Sequence, residues 1–248
     1  MIFVDHASVA VPAVLHSKEA DMARKAAQEY FKPPLKLRRQ QRFSFNPKIW
    51  VGCLKDLATL FSWKCGYCES VVDRLESANV DHFRPKSDSI DLKGKSSPDG
   101  YWWLAYEWQN LRFGCEICNT NKRNQFPVSG KRAESNAGLR GLAEEHAYLL
   151  DPCSDTPDNF LQFDEKGHVT GKRGVDIAYR NRGEKYWGEN RGAITVEILG
   201  LNRSELVAKR SRAFADLKKA GQNLQWTAFL APQSESVYFR YSIRNCRI

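Results

Sequence analysis

The chain has 248 residues, 42% of them hydrophobic, enough to bury a sizeable core in one large domain or two small ones. It contains no uninterrupted apolar run of the roughly 18 residues a membrane span needs, and the early Asp5 and His6 do not suit the basic start of a secretory leader, so no membrane partner and a cytoplasmic location are expected. The net charge is +9, from 38 Lys and Arg against 29 Asp and Glu. Such a balance suits a polyanionic partner, because each neutralised phosphate releases condensed counterion.

In chain order, Ser17 is placed to cap a helix running to about Tyr30, favoured by Ala20, Ala23, Ala26 and Ala27 and stopped by Pro33-Pro34. The basic stretch 36–42 follows, read either as a solvated face or as a phosphate contact. Asn46-Pro47 is an N-cap and first helical position for a second helix, whose Ile49, Cys53, Leu57, Leu60 and Phe61 recur on one face. Residues 80–83 predict a short strand ended by Pro85, and 86–100, with Gly94, Pro98 and Gly100, predict a loop. The segment 101–108 is dense in Trp and Tyr; Trp102, Trp103, Tyr106 and Trp108 are assigned to the core in preference to base stacking. Residues 110–113 lead into a second strand, and helix resumes at Asn119, ending before Pro127.

Beyond that point, 148–152 and 167–169 suggest short strands or loops, and 183–199 a helix. Asn202-Arg203-Ser204-Glu205 reads as a capping box for a further helix to about Ala228, and 237–243 alternates weakly. No internal repeat interrupts this order.

Seven cysteines are an odd number and are not spread like a disulfide framework. Cys53, Cys153 and Cys246 are isolated and read as small buried hydrophobes. The other four form two Cys-x-x-Cys pairs, Cys65/Cys68 and Cys115/Cys118, which in a reducing compartment point to a metal. Zn²⁺ favours four thiolates in a tetrahedron, and each tight turn offers two sulfurs to one ion. A redox dithiol is the rival reading, but two copies without a thioredoxin-like pattern speak against it. Between the pairs lies Asp81-His82, an adjacent carboxylate and imidazole at a strand end; Asn110 follows, and Asn119 comes directly after the last cysteine of the four.

The order Cys-x-x-Cys, Asp-His-x-x-Pro, Asn-Leu, Cys-x-x-Cys-Asn-x-x-Lys resembles the zinc-stapled HNH endonucleases. Within them, Cys65-Gly-Tyr-Cys68-Glu69, Asp81-His-Phe-Arg-Pro-Lys86, Tyr101-Trp-Trp-Leu-Ala-Tyr-Glu-Trp-Gln-Asn-Leu111 and Cys118-Asn-Thr-Asn-Lys-Arg-Asn-Gln-Phe-Pro127 are similar to the PtuB-type HNH proteins of Septu and retron anti-phage systems. Leu150-Asp151-Pro152 and Ile198-Leu-Gly-Leu-Asn-Arg203 fit the same family.

The resemblance implies an α+β fold, with a ββα-metal core over 65–130 stapled by a four-cysteine zinc site. A helical region, 1–64, precedes the core, and a mainly helical one, 131–248, follows it. By the same resemblance His82 is the general base that takes a proton from the attacking water, and Asn110 hydrogen-bonds the loop that positions it. Asp81 and Asn119 are the ligands of one catalytic divalent ion, Mg²⁺ or Mn²⁺, distinct from the structural Zn²⁺ held by Cys65, Cys68, Cys115 and Cys118. The third motif position is often His and here is Asn119, which leaves the metal preference open. The expected substrate is nucleic acid, DNA or RNA. The expected partners are a PtuA-like ABC/SMC-type ATPase and, in retron versions, a reverse transcriptase with its branched msDNA. The C-terminal region, with the Asn202-capped helix and Tyr238, Phe239 and Tyr241, is the expected docking element.

The rival to a nuclease is a non-catalytic zinc-stapled module that binds nucleic acid or protein, which has no need of the Asp81-His82 pair. Lys122, Arg123, Arg84 and Lys86 are each read as phosphate contacts or as solvated charges.

Overall fold

The computed structural model describes residues 1–38, 42–172 and 190–219. At the N-terminal end the Ser17 hydroxyl accepts a hydrogen bond from the Ala20 amide at 3.1 Å and opens α1, Lys18–Phe31. Asn46 opens α2, Pro47–Val51, by accepting from the Lys48 amide at 3.1 Å. The expected second helix does not run through: Gly52 and Cys53 divide it from α3, Leu54–Leu60, consistent with the low helix propensity of glycine. The predicted apolar face survives the break, since Ile49, Cys53, Leu57, Leu60 and Phe61 are all buried.

The centre is a hairpin followed by a helix. Strand β1, Ala78–His82, is followed by a loop holding two minimal strands that pair with each other, β2, Ser89–Ile90, and β3, Ser96–Ser97. Strand β4, Leu111–Cys115, returns antiparallel to β1, with Asp81 opposite Arg112 and His82 opposite Leu111. Helix α4, Glu116–Lys122, begins three residues before the expected Asn119. Cys115 is the reason: it stands at the N-cap, where its sulfur accepts from the Cys118 amide at 3.5 Å, so the second cysteine pair straddles the strand-to-helix junction.

Past this unit come α5, Leu139–Glu144, the hairpin of β5, Leu161–Phe163, and β6, Val169–Gly171, then α6, Arg191–Leu199, and α7, Ser204–Lys219. Residues 148–152 form no strand; the Leu150 amide donates instead to the Thr195 hydroxyl of α6 at 2.9 Å. The expected capping box also fails. Asn202 turns away from α7 and holds β6, accepting from the Val169 amide and donating to its carbonyl, both at 2.8 Å. The fold is α+β: helices with three two-stranded sheets among the described residues.

One buried apolar cluster draws on all parts of the described chain, including Leu15, Leu57, Phe113, Leu150 and Leu199. Of the four aromatics assigned to the core, Trp102, Tyr106 and Trp108 are buried and Trp103 is half-buried against the same cluster. An ion pair inside it ties β4 to the C-terminal part: Arg112 grips Asp151 with Nε–Oδ1 at 2.7 Å and Nη2–Oδ2 at 2.6 Å. No helix among the described residues is long and apolar enough to cross a membrane. The expected tail segment 237–243, Cys246, the first part, 183–189, of the helix expected over 183–199, and the end of the last helix to Ala228 lie outside the described residues.

Candidate functional site

The hairpin and α4 carry two chemically different centres. At the outer end of β4 the four thiols converge: the sulfurs of Cys65, Cys68, Cys115 and Cys118 all lie within 4.8 Å of one another, with Cys68 and Cys115 at 3.8 Å. Zinc–sulfur bonds of about 2.3 Å at tetrahedral angles place sulfurs about 3.8 Å apart, so the cluster can hold a zinc ion. The first pair sits in a turn closed by the Glu69 amide on the Cys65 carbonyl at 2.9 Å, and the Gly66 amide donates to Phe113 of β4 at 2.8 Å, which brings the turn onto the hairpin. Three of the four cysteines are buried. This is a largely enclosed centre, with Cys115 half-buried at its edge.

At the other end of β1 lies an open cleft of roughly 500 Å³, lined among others by Trp50, Asp81, His82, Lys86, Asn119 and Arg123. His82 is oriented by its Nε2, 2.8 Å from the Ala105 carbonyl. A carbonyl only accepts, so Nε2 carries the proton, and in the neutral ring Nδ1 keeps its lone pair. Nδ1 has no hydrogen-bond partner among the described residues, and the mostly buried His82 lines the cleft. Burial, helped by the charge of Lys86, pushes the imidazole down to about 3, so the resting ring is neutral and its Nδ1 lone pair unprotonated.

Asp81 is held from both sides. Its Oδ2 accepts from the Tyr67 hydroxyl at 2.5 Å and its Oδ1 from the Lys122 ammonium at 3.0 Å, while Lys122 also donates to the His82 carbonyl at 2.8 Å. Burial, followed by the Asp81 charge, raises the Tyr67 phenol well above its ordinary range, so it stays a donor. Lys122 lies equally close to Oδ2, also at 3.0 Å, and Asn119, half-buried, has no side-chain hydrogen bond among the described residues. Asp81 is buried at 4% exposure but lines the cleft together with Asn119, and these two hard oxygen donors are the ones that could hold a divalent ion there.

The charges in the cleft do not cancel. Lys122 matches Asp81, whereas Lys86 and Arg123 have no carboxylate partner among the described residues. Lys86 rests its ammonium 4.9 Å above the Trp50 ring, and burial lowers it from the usual lysine range. Gly100 makes room for the segment that carries it: at φ +55° it packs on the Pro85–Ser87 backbone, where a Cβ would lie 2.6 Å from the Pro85 carbonyl.

The fold thus gathers Asp81, His82 and Asn119 into one cleft and the four cysteines into one cluster. Asn110 does not line the cleft. It is buried behind it, its Oδ1 accepting from the Arg84 amide at 2.8 Å and its Nδ2 donating to the Arg84 and Leu104 carbonyls at 2.9 and 3.2 Å. The ambiguous cations separate: Lys86 and Arg123 face the cleft, whereas Arg84 pairs with buried Glu145 at 2.6 Å and Lys122 is fully buried. Helical spacing held the clue for Lys122, which lies four residues after buried Cys118 and so shares its face. Sequence reasoning missed Tyr67 and Trp50. Tyr67 is visible there only as filler of the first cysteine turn, and nothing local to α2 connects Trp50 with His82, against whose ring it packs edge-on at 4.9 Å.

No protein-family model matches the chain. It resembles Septu protein PtuB of Bacillus mycoides (strain KBAB4), with 31% identity over 218 residues, 84% of this chain and 66% of that protein. It is also similar to Septu protein PtuA of the same strain, with 32% identity over 163 residues, 65% of this chain and 21% of that protein. The chain therefore spans just under two thirds of the first relative's length and about a fifth of the second's. Among solved structures, the Type II-C Cas9 enzyme from Actinomyces naeslundii aligns over 75% of this chain and 13% of its own, with 15% identity and a TM-score of 0.23, too low to establish a shared fold.

Proposed function

We propose that this PtuB-like chain is a metal-dependent nuclease of the HNH (ββα-metal) type that hydrolyses phosphodiester bonds as the effector of an anti-phage defence assembly. The observation that carries the reading is the cleft itself, lined by His82, Asp81 and Asn119 and by Lys86 and Arg123, two cations without carboxylate partners among the described residues. The order strand, strand, helix that presents them supports the ββα label.

Lys86 and Arg123 draw the anionic backbone into the cleft. Nδ1 of His82 takes a proton from the attacking water, while the Nε2 bond to Ala105 keeps the ring in the tautomer that can do so. Asn110 positions rather than reacts, because it ties the strand exit at Arg84 to the carbonyl of Leu104, next to Ala105. Tyr67 and Lys122 orient Asp81, which with Asn119 would hold Mg²⁺ or Mn²⁺. That ion, when bound, supplies charge stabilisation at the phosphate and the leaving 3′ oxygen.

The likeness to both a PtuB and a part of a PtuA favours a Septu-type assembly with a PtuA-like ATPase over a retron assembly with a reverse transcriptase and msDNA. The deciding experiment is His82→Ala in the assembled complex, assayed on DNA and on total RNA with Mg²⁺ or Mn²⁺. Cleavage is expected to fall by at least about 10²-fold with zinc content and assembly unchanged. Unchanged cleavage removes His82 from the mechanism, and a wild-type assembly that binds but cuts neither nucleic acid turns the chain into a binding module.

A further inference from the structure

We propose that Arg203 is an outer partner of the zinc site, gripping the metal's thiolates with its guanidinium so that zinc is retained and α7 is fastened to the hairpin–helix unit. The inference rests on zinc filling the four-cysteine cluster and is independent of the nuclease reading.

Arg203 meets three of the four sulfurs, drawn from both pairs: Nη2 lies 3.3 Å from Cys68 Sγ and 4.0 Å from Cys115 Sγ, and Nη1 lies 3.7 Å from Cys118 Sγ. Its remaining hydrogen bond is to the Gly200 carbonyl at 3.3 Å, and it has no carboxylate partner among the described residues. Four thiolates around one divalent ion carry a net charge of about −2. Leaving that charge in a buried site without a counter-charge is costly. A planar, permanently charged fork with five donors is well suited to spread over several sulfurs at once, which a point-charge ammonium cannot do.

The backbone is arranged to deliver this contact. Gly200 ends α6 in the left-handed region at φ +59°, and a Cβ there would lie 2.5 Å from Asn121 Nδ2 of α4. Asn121 donates to the Leu199 carbonyl at 3.2 Å, so the turn between α6 and α7 is pressed onto α4 directly beside the cysteines. The stretch 198–203, which the sequence marks by family likeness without a role, thereby acquires one.

The test compares Arg203→Met with Arg203→Lys in the full chain. Zinc affinity is read by competition with a chromophoric chelator, and the thiolate-to-metal charge-transfer band is read after cobalt(II) substitution. Met is expected to weaken zinc binding about 10- to 100-fold, the usual cost of losing an outer-shell partner, and Lys to fall between Met and wild type. The cobalt band should move to lower energy in Arg203→Met, because removing the cation raises the sulfur lone pairs; a role limited to folding would leave it in place. Should Arg203→Met fail to fold, Arg203→Lys and Arg203→Gln carry the same comparison. Wild-type affinity and an unmoved band in these variants overturn the proposal, and so does a wild-type chain that holds no tight zinc.

Discussion

The two ends of the hairpin–helix unit differ in almost every physical respect, though they share β1, β4 and α4. The cysteine end is closed, its sulfurs facing one another and capped by Arg203. The His82 end is open, with an imidazole nitrogen unpartnered among the described residues and an excess of positive charge. Closed centres of fixed coordination serve stability, whereas centres with open positions serve chemistry. The same short element can do both because the strand-to-helix junction at Cys115 faces one way and the cleft face of α4, at Asn119, another.

Substitutions should divide along that line, and the largest effect belongs to the closed end. Cys68→Ala removes a ligand from a centre where bound zinc would contribute about 10 kcal/mol or more to folding, so zinc content and the cooperative unfolding transition should both be lost; a variant that still melts cooperatively without zinc would erase the contrast. Lys122→Met sits at the boundary, leaving Asp81 buried with its charge unmatched. It should cost about 3–5 kcal/mol in urea unfolding while zinc stays bound. Tyr67→Phe removes one donor from the same carboxylate and should cost about 1–3 kcal/mol, measured the same way.

At the open end the effect on stability should be smallest. Lys86→Gln and Arg123→Gln are expected to change unfolding by under about 1 kcal/mol, yet each should weaken oligonucleotide binding and reduce the log–log salt slope by about 1. Loss of stability in these two without a change in the salt slope would mean the cleft's cations serve packing, not an anion.

Much of the arrangement is legible in the residues alone. Ser17 and Asn46 mark helix starts because a capping oxygen acts on amides two or three residues away. The periodic face of 49–61 is readable even though Gly52 splits the helix. The failures differ in cause. Asn202 reads as a cap from its spacing to Glu205, but the backbone of Val169, brought near only by folding, offers it two hydrogen bonds instead. Helix α4 begins early because a cysteine sulfur takes the capping role usually filled by oxygen.

What the amino-acid order determined by itself is local or strictly spaced: the two cysteine turns, the Asp81-His82 step at a strand end, and the excess of positive charge. What only the tertiary structure decided is which distant group meets which. Trp50 packs against His82, Lys122 neutralises Asp81, Lys86 and Arg123 line the cleft without carboxylate partners among the described residues, and Arg203 reaches the sulfurs from a distant part of the chain. Spacing can specify a turn because covalent geometry limits its reach, but a counter-charge is chosen by burial, and burial is a property of the whole packed molecule.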